Sequence, residues 1–450
     1  MSNSTLKCLY RVAVISDIHA HSEKMDVTSG KEIPSWVSQA ISSTARHKNP
    51  LVDLHAYIKQ HGITADLLLC PGDIADKANE AALDYAWKEL QSIATTMKVT
   101  QVIGAVGNHD LHSRPTPALS SPPTSSSIDT PGIPLGIATP AATPNAKIRE
   151  LNPTYPVTDP EEFRRYWSDQ IASYFDDYCR VVTLNSCAAH GYISEGTEEY
   201  KRGRFTEEAE QRLLDLVAST DVHAVNILLT HHHPQQITDL QFSDTSAMLR
   251  GDRLLKLLGS GDYGSWIVVH GHRHVPFFTL GPGDNDRPYV FSAGSVGVIL
   301  HPLFYPTRPQ NQFYILEFDL VEIERRGTGL FGFLNAWNWH LGKGWQFAGD
   351  SDTIPARSGF GSRTPVSSLA RQVAEFIRAK AANHSGPVGV FEEEVTRACP
   401  DIAFLMPTER ERFRGQLEKE GISVGTHPRQ RSKLLFVYTN DAPLQQGFRV

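Results

Sequence analysis

The feature that most constrains this chain is a recurring couplet: a short apolar run rich in Val, Ile and Leu, with a cluster of Asp, His or Asn directly after it. The runs fall at 11–16, 66–70, 101–106, 180–184, 225–230, 266–270, 289–293 and 312–318. Near-continuous hydrophobicity over so few residues marks strands buried on both faces. Helical patterns separate several of them, at 51–60, 80–97, 160–178 and 207–218. Thr206 opens the last as an N-cap, with Glu207 and Glu208 in its first turn. Strands alternating with helices predict an α/β core.

Composition narrows the partners. Across 450 residues, 50 Asp and Glu against 43 Lys and Arg give a net charge of -7, which argues against a whole-chain electrostatic grip on nucleic acid or anionic lipid. The five cysteines, Cys8, Cys70, Cys179, Cys187 and Cys399, are odd in number, widely spaced and without a CxxC pair, so neither a disulfide framework nor a zinc finger is expected. No segment approaches the roughly 18 apolar residues of a membrane helix, and the polar stretch 1–10 leads directly into the first apolar run without a secretory pattern. The expectation is a cytoplasmic protein with no membrane partner.

Two stretches break the pattern. Between 113 and 144, 19 of 32 residues are Pro, Ser or Thr, a composition that cannot bury enough to order itself cheaply. The whole insert, 113–158, is expected as a long loop beside the Gly107-Asn108-His109-Asp110 motif. A Gly-, Ser- and Asp-rich span at 342–365 reads as a linker, ending a first domain at 341 and opening a small C-terminal α+β domain at 366–450. There Leu369, Val373, Phe376 and Ile377 share a helical face, 391–398 suggests a second helix, and Thr408 with Glu411 makes a capping box for a third. Strand-like runs at 422–425 and 433–438 complete the order of a winged-helix module, with Arg429, Arg431 and Lys433 on its wing. The rival reading is a packing or oligomerisation domain.

The chemistry lies in the residues immediately after the runs. Asp17-Ile18-His19 succeeds the first, Gly72-Asp73 the second, Gly107-Asn108-His109-Asp110 the third, His231-His232-His233 the fifth and Gly271-His272-Arg273-His274 the sixth. In α/β sheets ligands bind at the carboxyl ends of strands, so all five clusters are expected at one edge. Oxygen and imidazole donors without cysteine suit Mn, Fe, Zn or Co, and their number suits two divalent metal ions.

In this order the motifs closely resemble the calcineurin-like metallophosphoesterase family, from about residue 10 to about 320. The resemblance implies a four-layer αββα sandwich that hydrolyses phosphoesters. It implies that Asp17, His19 and His274 bind one metal, that Asn108, His231 and His272 bind the other, and that Asp73 bridges them. A hydroxide shared by the metals would attack phosphorus in line. His109 would be the transition-state stabiliser or general acid, its ring oriented by Asp110, with Asn108, His109 and His232 beside the phosphate. Alternate side chains of an extended segment point to opposite sides, which makes His231 and His233 rivals as ligand. His231 is preferred because it comes directly after Thr230, as in the family's Thr-His-His-Pro segment.

The pieces Leu184-Asn185-Ser186, Arg202-Gly203-Arg204-Phe205-Thr206 and Thr230 to Pro234 are similar to the class III cyclic-nucleotide phosphodiesterase branch. Asn185 departs from the aspartate usual there, and the inserts at 22–50 and 113–158 depart as well. The expected substrate is a small phosphodiester, with a cyclic nucleotide as candidate. The alternatives are a nuclease guided by a DNA-binding C-terminal module, a phosphomonoesterase or protein phosphatase, and an inactive interaction scaffold. The last has no need for the complete ligand set.

Overall fold

The computed structural model describes residues 7–22, 34–39, 47–113, 146–190, 202–237, 244–283, 286–300, 310–350, 352–382, 384, 386–427 and 430–438. The first three apolar runs become β1 (Leu9–Val14), β2 (Leu67–Cys70) and β3 (Gln101–Gly104), parallel neighbours with Val12 opposite Leu67 and Leu67 opposite Gln101. The crossovers contain α1 (Pro50–His61) and α2 (Glu80–Met97). Each starts where an Asn side chain accepts from free backbone N–H groups: Asn49 from Leu51 and Val52, Asn79 from Ala82.

After α3 (Ala146–Arg149) and α4 (Pro160–Ser168), the chain builds a second sheet from β4 (Ile171–Phe175), β5 (Cys179–Leu184), β6 (Val225–Thr230), β7 (Trp266–His270), β8 (Phe277–Leu280) and β9 (Tyr289–Ser292). Its order is β4-β5-β6-β7-β9-β8, with β5, β6, β7 and β9 parallel. β10 (Asn311–Asp319), α7 (Leu320–Arg326), β11 (Gly332–His340) and β12 (Gly344–Phe347) come next, and their strands extend the first sheet to β12-β11-β10-β1-β2-β3.

The layers run helix, sheet, sheet, helix. From α5 (Glu207–Ser219) and α6 (Gly251–Leu258), Leu213, Val217, Leu254 and Leu258 pack on Val182, Leu228, Val268 and Val290 of the second sheet. Each such fully buried side chain contributes about 1.5–3 kcal/mol relative to exposure. Between the sheets the Thr183 hydroxyl donates to the Gly104 carbonyl at 2.7 Å, and the Phe291 ring meets Tyr314 edge-on at 4.9 Å. Beyond the first sheet, Trp345 Nε1 donates to the Pro50 carbonyl at 2.9 Å and Trp339 Nε1 to Asp53 at 3.1 Å, fastening α1. The expected αββα sandwich is the architecture found.

The span expected as a single helix at 160–178 divides. α4 stops at Ser168, Gln170 takes a left-handed φ of 64°, and β4 begins at Ile171. Gly342 and Gly344, part of the supposed linker, instead turn β11 back into β12 with φ of 77° and 82°, placing Trp339 opposite Trp345. Of the Pro-, Ser- and Thr-rich insert, 114–145 lie outside the described residues.

The chain divides into one compact unit of Met1–Leu330 with Leu334–Ala356, and another of Phe331–Phe333 with Arg357–Val450. The second holds β13 (Arg357–Phe360), α8 (Val366–Ala381), β14 (Val388–Phe391), α9 (Glu392–Ala398), α10 (Pro407–Lys419), β15 (Ile422–His427) and β16 (Gln430–Tyr438). A three-stranded antiparallel sheet, β14-β16-β15, shares a core with Leu369, Val373, Ile377, Val395, Phe413 and Leu417. β14 is an addition to the expected order, and α10 starts one residue before the expected cap, with Glu409 accepting from the Met406 N–H at 3.0 Å. Arg429 lies outside the described residues, as do the side chains of Arg431 and Lys433 on β16. Among the described residues no helix is long and apolar enough to cross a membrane.

Candidate metal centre

All five polar clusters leave the carboxyl ends of parallel strands, where the two sheets bring them together. The loop after β1 is tied to the loop after β2 by Asp17 N–H donating to the Gly72 carbonyl at 3.1 Å and His19 N–H to the Asp73 carbonyl at 2.9 Å. It is tied to the second sheet by the His272 N–H, which donates to Asp17 Oδ1 at 3.0 Å. The His231 carbonyl accepts from Gly271 N–H at 3.1 Å.

These loops are strained where the chemistry sits. Asp17, His19, Asp73, His272 and His274 all take left-handed φ, from 49° to 80°. Non-glycine residues adopt that region rarely and at a cost of about 1–3 kcal/mol, concentrated at functional sites. The neighbouring glycines leave the room required. A Cβ on Gly107 would meet the Asp73 carboxylate, and one on Gly271 the Asp17 carboxylate.

Two groups of side chains result. In one, His274 Nε2 lies 3.3 Å and His19 Nε2 4.0 Å from Asp17 Oδ1. In the other, His231 Nε2 and His272 Nδ1 each lie 3.0 Å from Asn108 Oδ1 and 3.2 Å from one another. Asp73 Oδ2 joins them, 3.3 Å from both His19 Nε2 and His231 Nε2. Ligands around one ion at bonds of about 2.1 Å sit roughly 3.0–3.4 Å apart, so all of these spacings but the 4.0 Å from His19 to Asp17 suit divalent cations. The chemistry of His231 agrees. Its Nδ1 donates to the Pro71 carbonyl at 2.8 Å, which leaves the neutral ring's Nε2 lone pair aimed at the Asp73 carboxylate. Two acceptors face each other there unless a proton or a metal lies between them.

Without metal, protons take that place. Burial alone would lower His19, but hydrogen bonds to Asp73 and Asp76 push it up to about 10, and the Asp73 carboxylate pushes His231 up to about 9 against the same penalty. Burial would raise Asp73, yet His231, His109 and His19 hold it well below the usual carboxylate range. At pH 7 both imidazoles are therefore charged in the metal-free protein, and metal must displace their protons. Calorimetric titration with Mn in buffers of different ionisation enthalpy is expected to show about two protons released per chain at pH 7. Affinity is expected to rise with pH up to about 9–10, where both groups have lost their protons in the metal-free state. A pH-independent affinity would contradict this.

His231 reaches the centre; His233 does not, because its Nε2 pairs with Asp244 at 2.8 Å. Asp110 does not orient His109. It accepts from the N–H groups of Asp73 and Gly107, both at 2.9 Å, and of Ala75 at 3.1 Å, fixing the backbone under the bridging carboxylate. The His109 ring is held by a residue that the motifs do not include: Asp76 Oδ1 lies 2.9 Å from His109 Nδ1 and 3.7 Å from His19 Nδ1. Its only signal in the sequence is its place three residues after Asp73. His232, expected beside the phosphate, is completely buried. Its Nδ1 pairs with the Ser186 hydroxyl at 2.9 Å, and its ring packs on His272 at 4.4 Å between centroids. A ring nitrogen of His232 lies with those of the candidate ligands His231 and His272 in one group close enough to hold an ion, so the ring borders the candidate centre.

A family model described as calcineurin-like phosphoesterase matches residues 10–288. No curated protein matches the chain. Among solved structures, a purple acid phosphatase from yellow lupin (Lupinus luteus) seeds is 14% identical, covering 73% of this chain and 51% of its own at a TM-score of 0.41. This chain thus spans about half of that protein. A dimetal phosphatase from Danio rerio is 14% identical, covering 68% and 92% at 0.39, and a 5'-nucleotidase precursor from Thermus thermophilus is 14% identical, covering 69% and 51% at 0.32. The match over most of the first compact unit, coinciding with all five strand-end motifs, places this chain in the calcineurin-like phosphoesterase family, whose members hydrolyse phosphoesters at a dinuclear divalent metal centre.

Proposed function

We propose that this protein is a metal-dependent phosphodiesterase. Asp17, His19 and His274 hold one divalent ion, Asn108, His231 and His272 a second, and both share Asp73. The observation that carries this reading is the position of Asp73 Oδ2, equidistant at 3.3 Å from an imidazole of each group. When bound, the metals supply positive charge that acidifies water and neutralises the phosphoryl oxygens. Neutral Asn108 contributes an oxygen ligand without adding a charge that would repel the anionic substrate. His109, its Nδ1 turned to Asp76, leaves Nε2 to deliver a proton to the departing ester oxygen.

The preference for a diester, with a cyclic nucleotide as candidate, draws on three segments that meet at His232. Ser186 bonds its ring, and Gly203 lies so close that a Cβ there would strike it. A second reading, nuclease activity, draws on charge. Residues 357–450 carry 14 Lys and Arg against 10 Asp and Glu, net +4, which leaves 29 against 40, net -11, for residues 1–356.

One panel separates these readings: bis(p-nitrophenyl) phosphate, p-nitrophenyl phosphate, cyclic AMP and duplex DNA, offered to Mn-loaded protein. The two small diesters, bis(p-nitrophenyl) phosphate and cyclic AMP, are expected to turn over at least about tenfold faster than the monoester, with activity lost to chelator and restored by metal. Faster monoester turnover would overturn the diesterase assignment, and salt-sensitive DNA cleavage would favour the nuclease.

A further inference from the structure

The two ring nitrogens of the completely buried His232 have unequal surroundings. Nδ1 lies 2.9 Å from the Ser186 hydroxyl, whereas Nε2, equally enclosed, has no hydrogen-bond partner among the described residues. A buried polar atom left in that state is costly, so it calls for an occupant. The ring is not free to turn elsewhere. Gly203 approaches so closely that a Cβ there would strike His232 Cβ and Cγ, and the His232 backbone N–H donates to the Ser186 hydroxyl at 3.3 Å. One ring nitrogen of His232 lies within 4.8 Å of ring nitrogens of both His231 and His272.

The spacing of the three rings carries the argument further. With metal–nitrogen bonds of about 2.1 Å and ligand angles of about 90–109°, imidazoles on one ion have centroids roughly 4.5–5.2 Å apart. His231 stands 5.0 Å from His232 and 5.1 Å from His272, and His232 stands 4.4 Å from His272. All three separations match to within about 0.1 Å. In the other group, His19 and His274 are 5.1 Å apart. His233 does not fit, being 5.6 Å from His272 with its Nε2 given to Asp244.

Resting on the two-ion centre of the proposed function, we infer that His232 Nε2 is a third imidazole ligand of the ion held by Asn108, His231 and His272. A neutral imidazole has one proton, which then sits on Nδ1 and is donated to the Ser186 hydroxyl, the outer contact that fixes a metal-bound histidine in its tautomer. His232 enters from the protein side, since it is completely buried while Asn108 and His272 are half-buried. The solvent side of the ion stays open to water and phosphate. With three imidazoles beside Asn108 and the shared Asp73, this ion has a more nitrogen-rich set than its neighbour, which has two imidazoles and the carboxylates of Asp17 and Asp73. Imidazole suits Zn and Fe, and carboxylate suits Mn, so the two positions differ in metal preference.

Nuclear magnetic resonance of the full-length protein, labelled with ¹⁵N-histidine and loaded with ¹¹³Cd as a diamagnetic substitute for Zn, tests this directly. Direct coupling to ¹¹³Cd is expected at a ring nitrogen of His232 as well as of His19, His231, His272 and His274, with the His232 proton on Nδ1. Coupling at those four and none at His232 would overturn the inference while leaving the centre intact. Coupling at no histidine would overturn the two-ion centre, and the inference with it. His232→Gln is expected to lower Zn affinity at one of the two positions by at least about tenfold, with a smaller loss for Mn. Zn affinity unchanged at both positions would also overturn the assignment.

Discussion

Asp73→Asn is expected to lower metal-dependent turnover by at least about 10³-fold, about 4 kcal/mol in transition-state stabilisation, and to leave at most one tightly held metal per chain. The substitution keeps the size of the side chain and an oxygen able to accept from the His109 N–H, as Asp73 Oδ1 does at 2.8 Å. What disappears is the charge between His19 and His231, both 3.3 Å away. Losing a group that merely orients a ligand typically costs 10–100-fold, so losing a carboxylate shared by two ions should cost more. Metal content by elemental analysis and turnover of a diester check this together. Circular dichroism should remain that of the wild type, because the Asp110 contacts that set the surrounding backbone do not involve the Asp73 side chain. A fully active Asp73→Asn protein would sink the proposed ligand arrangement.

How much of this is legible in the sequence depends on the length scale of each feature. The strands that carry Asp17, Asp73, Asn108, His231 and His272 announce themselves because burial on both faces demands a continuous apolar run, and the polar clusters come immediately after. Which imidazole serves the centre is less local. Extended geometry puts residues two apart on the same side and so leaves His231 and His233 rivals; what separates them is Asp244, eleven residues on, which claims His233 Nε2 at 2.8 Å. Asp76 is not legible, because its approach to His109 depends on loops from two different strands, including left-handed φ at Asp73 and Lys77 that sequence does not advertise for those residue types. The role expected of Asp110 fails for a related reason: adjacency in sequence to His109 does not place the two side chains together, and buried backbone N–H groups claim the carboxylate first. At 342–365, glycine content reads as a linker, whereas Gly342 and Gly344 form the tight turn between two strands whose tryptophans bury.

Replacing His109 with Ala is expected to reduce kcat by about 10²–10⁴-fold while leaving both metals bound, since its ring faces Asp76 and is absent from the candidate ligand set. The size of the loss should depend on the leaving group. A proton donor matters most when the departing oxygen is basic, so an alkyl ester should suffer far more than a p-nitrophenyl ester, whose phenolate leaves without help. Asp76→Asn should show the same leaving-group dependence at a smaller size, about 10–100-fold, because it removes the carboxylate that fixes the ring and keeps the ring itself. Burial alone would raise the Asp76 carboxyl, but hydrogen bonds from His109 and His19 hold it below the usual range, so it remains an acceptor throughout neutral pH. The double variant should be no slower than His109→Ala, since a positioning carboxylate has nothing left to position. If the two losses multiply instead, or if Asp76→Asn strips metal through its second contact to His19 at 3.7 Å, Asp76 acts on the metal centre and not through His109.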